Sequence, residues 1–289
     1  MKKILSILLA LIGVISLNAQ VLTIYKSGRV LYCTAYTDSI VATRAIPHAA
    51  TESAFAISDN SYVCFSPGNL QYHIATDTWR FADYQYDYVA ADITDTTYTG
   101  WIDLFGWGTG NNPTNVEDAN SKFTDWGTNA IGTDVANTWR TLTLDEWLYL
   151  FQHTRWTIAK VNGTLGFMLL PDFFETPVGL SVSILGDGNL TDASKNYSES
   201  DYSTNIYNSD EFVLLESAGA IFLPAAGARY GTILSACGQK GIYWTATTGT
   251  SKAAARYMSF TVTKALVSVN GHAGRKYGYS VRLVRDLNK

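Results

Sequence analysis

Apolar positions along this chain follow a strand-like rhythm over most of its length and a helical one in two places. "VLTIYKSGRVLYCTAY" (21–36) sets two β-branched and aromatic runs on either side of Ser27-Gly28, which predicts a hairpin. The pattern then lapses, and Ala, Thr and Pro accumulate, so a linker is expected at 42–53. From Phe55 the pattern runs on to the end. "SYVCFSPGNLQYHIATDTWRFAD" (61–83) reads as three short strands, with turns at Pro67-Gly68-Asn69 and Ala75-Thr76-Asp77. Residues 90–138 have little periodicity and are rich in Asp, Asn, Thr and Gly. Their many tryptophans predict loops folded back on a core.

The first helical rhythm is in "WRTLTLDEWLYLFQHTR" (139–155). Thr143 and Glu146 have capping-box spacing, and Leu144, Trp147, Leu148 and Phe151 form the apolar stripe. "VNGTLGFMLLPD" (161–172) predicts a hairpin turning on Asn162-Gly163. "SDEFVLLESAGA" (209–220) predicts a short second helix stopped by Gly219. Four strand-like runs follow "IFLPAAGARYG". In the last, "KYGYSVRLVRDLN" (276–288), Val281, Leu283 and Arg285 share one face, and Arg282 and Val284 the other. Neither face is cleanly polar. That predicts a central strand with an arginine paired inside, and Asp145 and Glu146 are the candidate partners. The expected class is α+β: one β-rich domain over 54–289 with two helices and long loops, preceded by a β-hairpin segment at 20–41.

Composition adds an address. Lys2 and Lys3 precede an apolar run, Ile4 to Leu17, that ends in the small-residue pattern "SLNAQ", the layout of a secretory signal peptide over 1–19. Cleavage after Ala19 would take the formal charge from −4 to −6. No later stretch is apolar enough for a membrane span in the mature chain, so a secreted or cell-surface location is expected. With no basic excess, nucleic acid is not an expected partner. Charged residues make up only 16% and aromatics 13%, a balance that favours an exported β-rich protein. Of the three cysteines, Cys33 and Cys64 either pair across two strand-like runs or serve, like Cys237, as small apolar residues.

Three stretches carry a resemblance. "WRTLTLDEWLYLF" (139–151) resembles the Arg-Leu-Pro-Thr-x-x-Glu-Trp helix start of the formylglycine-generating-enzyme (sulfatase-modifying factor) family. "GIYWTATTGTSKAAARYMSF" (241–260) resembles its Gly-x-x-Trp strand entry, and "YGYSVRLVR" (277–285) its closing Gly-Phe-Arg-Leu-Val strand. The order agrees over 55–289. With "FSPGNLQYH", "WIDLFGWGT" and "ESAGAIFLPAAG", the chain is similar to secreted proteins of gut-type Gram-negative anaerobes. The resemblance implies a C-type-lectin-like fold, some members of which vary a C-terminal segment on a ligand-binding face. The enzyme family's paired cysteines have no counterpart between Trp244 and the closing strand, so neither its copper site nor its oxygenase activity is implied here.

Candidate chemistry is sparse. His48, His73, His153 and His272 stand outside any nucleophile motif, and His153 suits the dipole at its helix end. Asp145 and Glu146 point about 100° apart on a helix, and capping already accounts for Glu146. No catalytic residue and no resident metal or cofactor is expected. Oxygen-rich stretches at 111–120 and 187–201 leave calcium open without EF-hand spacing. Trp101, Trp107 and Trp126 either expose stacking faces or seal the core beneath loops, while Trp139, Trp147, Trp156 and Trp244 belong to the core. The preferred ligand-facing surface is 245–276, with Thr247, Lys252, Arg256, Tyr257, Asn270, His272 and Arg275, supported by Trp107 and Trp126.

These features lead to an exported, non-catalytic recognition module for a glycan or a protein ligand at the cell surface. The alternatives are an enzyme on the formylglycine-generating scaffold lacking paired thiolates, and a structural surface or adhesion component docking through residues 21–41.

Overall fold

A computed structural model describes residues 21–26, 29–35, 54–89, 97–108, 122–188, 199–262 and 267–287. The expected signal peptide, the linker at 42–53 and the oxygen-rich stretch 111–120 lie outside the described residues, as does most of 187–201. The chain divides into two compact units, 1–48 and 49–289. In the first, β1 (Val21–Lys26) and β2 (Arg29–Ala35) pair antiparallel as the hairpin the pattern predicts, with a register shift at Ile24/Tyr25.

The second unit is α+β, β-rich with two helices and several antiparallel sheets. Strands β3 (Phe55–Ser58), β4 (Ser61–Phe65), β5 (Leu70–His73) and β6 (Thr78–Phe81) fall where the sequence put strands. Within the described part of the loop-rich region β7 (Trp101–Ile102) is a short strand, and β8 (Arg140–Thr141) follows that region. Helix α1 (Leu144–His153) leads to β9 (Arg155–Val161) and β10 (Thr164–Leu170). Both Asn162 (φ 46°) and Gly163 (φ 86°) are left-handed, as a type I′ turn requires. Then come β11 (Gly186–Asp187), β12 (Ile206–Tyr207), α2 (Ser209–Ser217) and β13 (Ile221–Pro224). The last six are β14 (Ala228–Tyr230), β15 (Ile233–Ser235), β16 (Lys240–Thr248), β17 (Ala254–Thr261), β18 (Val267–Gly274) and β19 (Leu283–Asp286).

Helix α1 starts at the predicted box. Thr143 N–H donates to Glu146 Oε2 at 2.7 Å, and Glu146 N–H donates to Thr143 Oγ1 at 3.3 Å. Trp147, Leu150 and Phe151 are buried in the cluster they share with Phe65, Phe167, Tyr243 and Phe260, and Leu144 and Leu148 pack against its edge. At the far end His153 Nδ1 lies 2.8 Å from Tyr149 O, the position expected of it. Helix α2 has a second capping box, Asn208 with Glu211, and stops where Gly219 turns to φ 95°.

Strand β19 runs between β4 and β8 in the sheet β3-β4-β19-β8, so the end of the described chain is an interior strand, as its pattern implied. Its arginine is paired differently from expectation. Glu146 and Asp286 hold Arg140 instead, whose guanidinium donates to Glu146 at 2.7 and 2.9 Å and to Asp286 at 2.9 Å. Arg282, 1% exposed, donates from Nη2 to Gln85 Oε1 at 2.6 Å and lies 3.5 Å from Asn69 Oδ1. The sequence could not show this, because Gln85 sits in a segment without periodicity. Cys64 is a buried free thiol and Cys237 is free too, while the side chain of Cys33 lies outside the described set. Among the described residues no helix is long and apolar enough to cross a membrane.

Two stability measurements follow, both read by chemical denaturation. Arg282→Ala should cost about 3–5 kcal/mol, since it empties the site and strands Gln85, whereas Arg282→Met should cost less by filling the volume without a buried charge. Thr143→Ala should cost ~1 kcal/mol as a lost cap, and Glu146→Ala should cost more because it also releases Arg140.

Candidate functional site

The segment 245–276 is the end of a three-stranded antiparallel sheet, β16-β17-β18, and strand alternation sorts its side chains between two faces. Arg256 and His272 are register partners and share the face of Met258, Phe260 and Tyr243, against which α1 packs. Tyr257 is on the opposite face with Trp244 and Ala273. The predicted residues therefore do not form one surface. Lys252 is exposed in the β16–β17 connection, and His272 is exposed on β18. Asn270 lies in β18 by its backbone, and its side chain falls outside the described set.

Four predicted residues have internal duties. Thr247 Oγ1 accepts from Leu144 N–H at 2.9 Å and so serves the first turn of α1. Arg275 is 3% exposed, donates Nε to Ala254 O at 3.2 Å, and stacks 4.4 Å above the Trp107 ring. Trp107 is itself fully buried; its Nε1 donates to Thr245 O at 2.8 Å and its ring lies against Phe123. Trp126, 2% exposed, packs on Phe105 and Phe123. Trp107 and Trp126, expected to support a ligand from the loops, instead seal the core. A loop region with so little regular structure buries enough apolar surface only by turning such rings inward. Half-buried Trp101 is covered by Arg80, 3.9 Å above its ring.

On the Tyr257 face the structure gathers a group that sequence reading missed. The run before β19 threads between two distant segments. Gly278 and Arg229 exchange backbone hydrogen bonds at 2.8 and 2.9 Å, as do Tyr279 and Phe105 at 2.9 and 3.1 Å. Gly278 permits the approach, because a Cβ there would stand 3.0 Å from Arg229 Cβ and 3.1 Å from Leu104 O. This threading brings Tyr230, at the end of β14, to Tyr277 with ring centroids 4.8 Å apart and planes at 75°. Tyr279 packs on Trp244 at 4.5 Å and edge-on to Tyr257 at 5.2 Å. The Tyr257 ring occupies the space where a side chain on Gly271 would be, its edge 2.1 Å from where a Cβ would stand.

Exposure grades across the cluster. Tyr279 is buried, Tyr257 and Tyr277 are half-buried, and Tyr230 is 40% exposed. Burial, and then the neighbouring tyrosines, push the Tyr279 and Tyr257 phenols up, so both remain neutral hydroxyls at physiological pH. The available signal was composition alone: aromatic residues flanking glycines at 230–231 and 277–279. Nothing local says that these two pairs meet.

A buried carboxyl faces the Arg229 charge. Asp103 is 0% exposed, accepts from Val89 N–H at 2.6 Å through Oδ2, and has no hydrogen-bond partner for Oδ1 among the described residues. Burial pushes it up to about 7, against the Val89 amide and the Arg229 charge. Burial likewise lowers Arg229 to about 10, against the Asp103 charge; its Nη2 donates to Leu104 O. Cys237 donates its thiol to Ala226 O at 3.4 Å, and burial, then Asp103, push it up and keep it protonated. No group of three or more His, Cys, Asp or Glu suited to a metal occurs among the described residues. No family model, curated protein or solved structure matches the chain.

The Asp103 environment predicts a pH dependence. From the ordinary 3.8 up to about 7 the unfolded chain has this carboxylate ionised while the folded domain holds its proton, so raising pH through that window costs stability. The slope approaches 1.4 kcal/mol per pH unit, about the free energy of one pKa unit. Outside the window both states agree and the contribution is flat. Asp103→Asn, which keeps an acceptor for Val89, should remove that slope in urea denaturation at pH 5, 6, 7 and 8.

Proposed function

We propose that the chain is an exported, non-catalytic recognition module of C-type-lectin-like fold. Its ligand is a glycan or a protein at the cell surface, met by the C-terminal strands and the loops beside them. The observation that carries this reading is the group of partly exposed Tyr230, Tyr257 and Tyr277 around buried Tyr279, on one face of the β16–β18 sheet. Partly exposed phenol rings offer large, stiff contact area with a hydroxyl at the rim, the combination that recognition surfaces use. A leader-like N-terminus, an interior closing strand and two capped helices agree with an exported β-rich scaffold.

The residues with shifted titration favour binding over catalysis. Asp103 is sealed from solvent, and Cys237 is held as a thiol where a nucleophile needs its thiolate. Asp145 is exposed, and Glu146 is committed to Thr143 and Arg140.

The test uses labelled full-length mature protein on a glycan array and in whole-cell pull-downs, beside a triple variant Lys252→Ala, Arg256→Ala, His272→Ala and a double variant Tyr230→Ala, Tyr277→Ala. Saturable binding by the intact protein, weakened about tenfold or more in at least one variant of unchanged melting temperature, is the expected result. Absence of saturable binding to every array position and cell type, or binding that both variants retain, would overturn it.

A further inference from the structure

We propose that Lys252, Arg256, His272 and Lys276 form a subsite for an acidic glycan, one with carboxylate or sulfate groups on its sugar rings; this rests on the recognition reading above and assigns its ligand class. The first support is the charge distribution along the chain. Residues 217–285 contain nine lysines and arginines and no aspartate or glutamate, a formal +9 in a chain of −4. The remaining residues hold 12 basic against 25 acidic side chains, or −13. A stretch this one-sided attracts anions locally even on a protein of negative net charge.

The fold draws part of that charge together. Arg229, Arg275 and Arg282 are buried, Lys240 is half-buried at the far end of β16, and Arg285 lies on β19 over the Trp139 ring. Lys252, Arg256 and Lys276 instead meet His272 where the β16–β17 turn adjoins the end of β18. Arg256 and His272 are register partners, as are Ala254 and Gly274, and Arg275 N–H donates to Ala253 O at 3.0 Å. Lys252 and Lys276 each follow one residue beyond that last hydrogen bond, in the same direction off the sheet. Lys252 and His272 are exposed, and Arg256 and Lys276 are half-buried. Gly249 N–H to Ala254 O at 2.9 Å and Ala254 N–H to Ser251 O at 3.1 Å close the turn, so these positions are held before a ligand arrives. Among the described carboxylates on α1 and on the loop that pairs with Arg275, Glu146 is held by Arg140, Asp103 is sealed from solvent, and Asp145 is exposed.

Spacing favours a glycan over other polyanions. Charges on neighbouring strands stand about 5 Å apart, whereas duplex DNA carries a charge every ~1.7 Å of its axis and its binders engage several phosphates at once. A polymer with one acid per sugar ring spreads its charges more widely, as this group does. Half-buried Tyr277 follows Lys276, a ring beside a cation that suits a sugar with an apolar C–H face and an acidic substituent.

The experiment measures binding of the full-length mature chain to polygalacturonate and dextran sulfate oligosaccharides by titration calorimetry. Neutral dextran oligosaccharides, single-stranded DNA and phosphatidylglycerol vesicles are the comparisons. At least one acidic glycan should bind more tightly than all three, with affinity falling as sodium chloride rises from about 50 to about 300 mM. The double variant Lys252→Glu, Lys276→Glu should weaken that binding about tenfold or more, while Lys160→Glu, exposed on β9, should stay within about twofold. Melting temperatures check that the variants stay folded. Acidic-glycan binding that the double variant retains, or cell binding with no oligosaccharide bound, would overturn the subsite and leave the recognition reading standing. Equal or tighter binding to neutral dextran, DNA or vesicles would overturn the acidic-glycan assignment alone. No binding to oligosaccharides or cells would overturn both.

Discussion

The described domain is organised around a buried charge that has no carboxylate at hydrogen-bonding distance. Arg282 donates to Gln85, Gln85 Nε2 donates to Glu216 Oε1 at 3.0 Å, and Gln85 Oε1 also accepts from Phe222 N–H at 2.7 Å. One amide side chain thus ties the approach to β19, the end of α2 and the start of β13. Burial lowers Arg282 to about 10, with Tyr243 and Glu216 opposing the shift, so the guanidinium is still charged at neutral pH. A dehydrated cation is costly unless its donors are met, and here Nη1 and Nη2 reach Asn69 and Gln85. The chain between β18 and β19 is therefore drawn into the interior, pairing in turn with Phe105, Arg229 and Trp244.

That threading also forms the candidate site. Tyr277 and Tyr279 lie on the segment that Arg282 anchors, while Tyr230 and Tyr257 come from β14 and β17. The cluster exists only because a terminal strand is interior. Rings positioned by backbone pairing on three sides differ from rings on a free loop, since their relative angles are set before a ligand arrives. Burial biases Asp103, Arg229 and Cys237 each toward its neutral form, yet at about 10 Arg229 still holds its charge at neutral pH.

Several elements were legible without coordinates because their causes are local. The Thr143/Glu146 box, the Asn162-Gly163 turn and the Gly219 stop each follow from hydrogen bonds or backbone angles within a few residues. The interior status of β19 was legible from its two mixed faces, and the partner of its arginine was not. Glu146 and Asp145 were reasonable candidates by charge. Yet Arg140, six residues from Glu146, takes that carboxylate in a two-pronged contact at 2.7 and 2.9 Å, leaving Arg282 to a glutamine that no charge argument would select. The tryptophans of the irregular region show the same limit. Composition placed them near a core, but only packing turned Trp107 and Trp126 wholly inward and set Arg275 over one of them.

By itself the sequence determined the α+β class, the caps and the tight turns, because hydrophobic periodicity, capping geometry and glycine backbone freedom act over spans shorter than about ten residues. Tertiary structure decided which charges meet, which aromatic rings are covered, and which face of β16–β18 carries the tyrosines. Those outcomes depend on a strand from the chain's end inserting between segments far away in sequence. The free energy of that insertion comes from desolvation and long-range backbone pairing, neither of which leaves a periodic trace in the residues that take part.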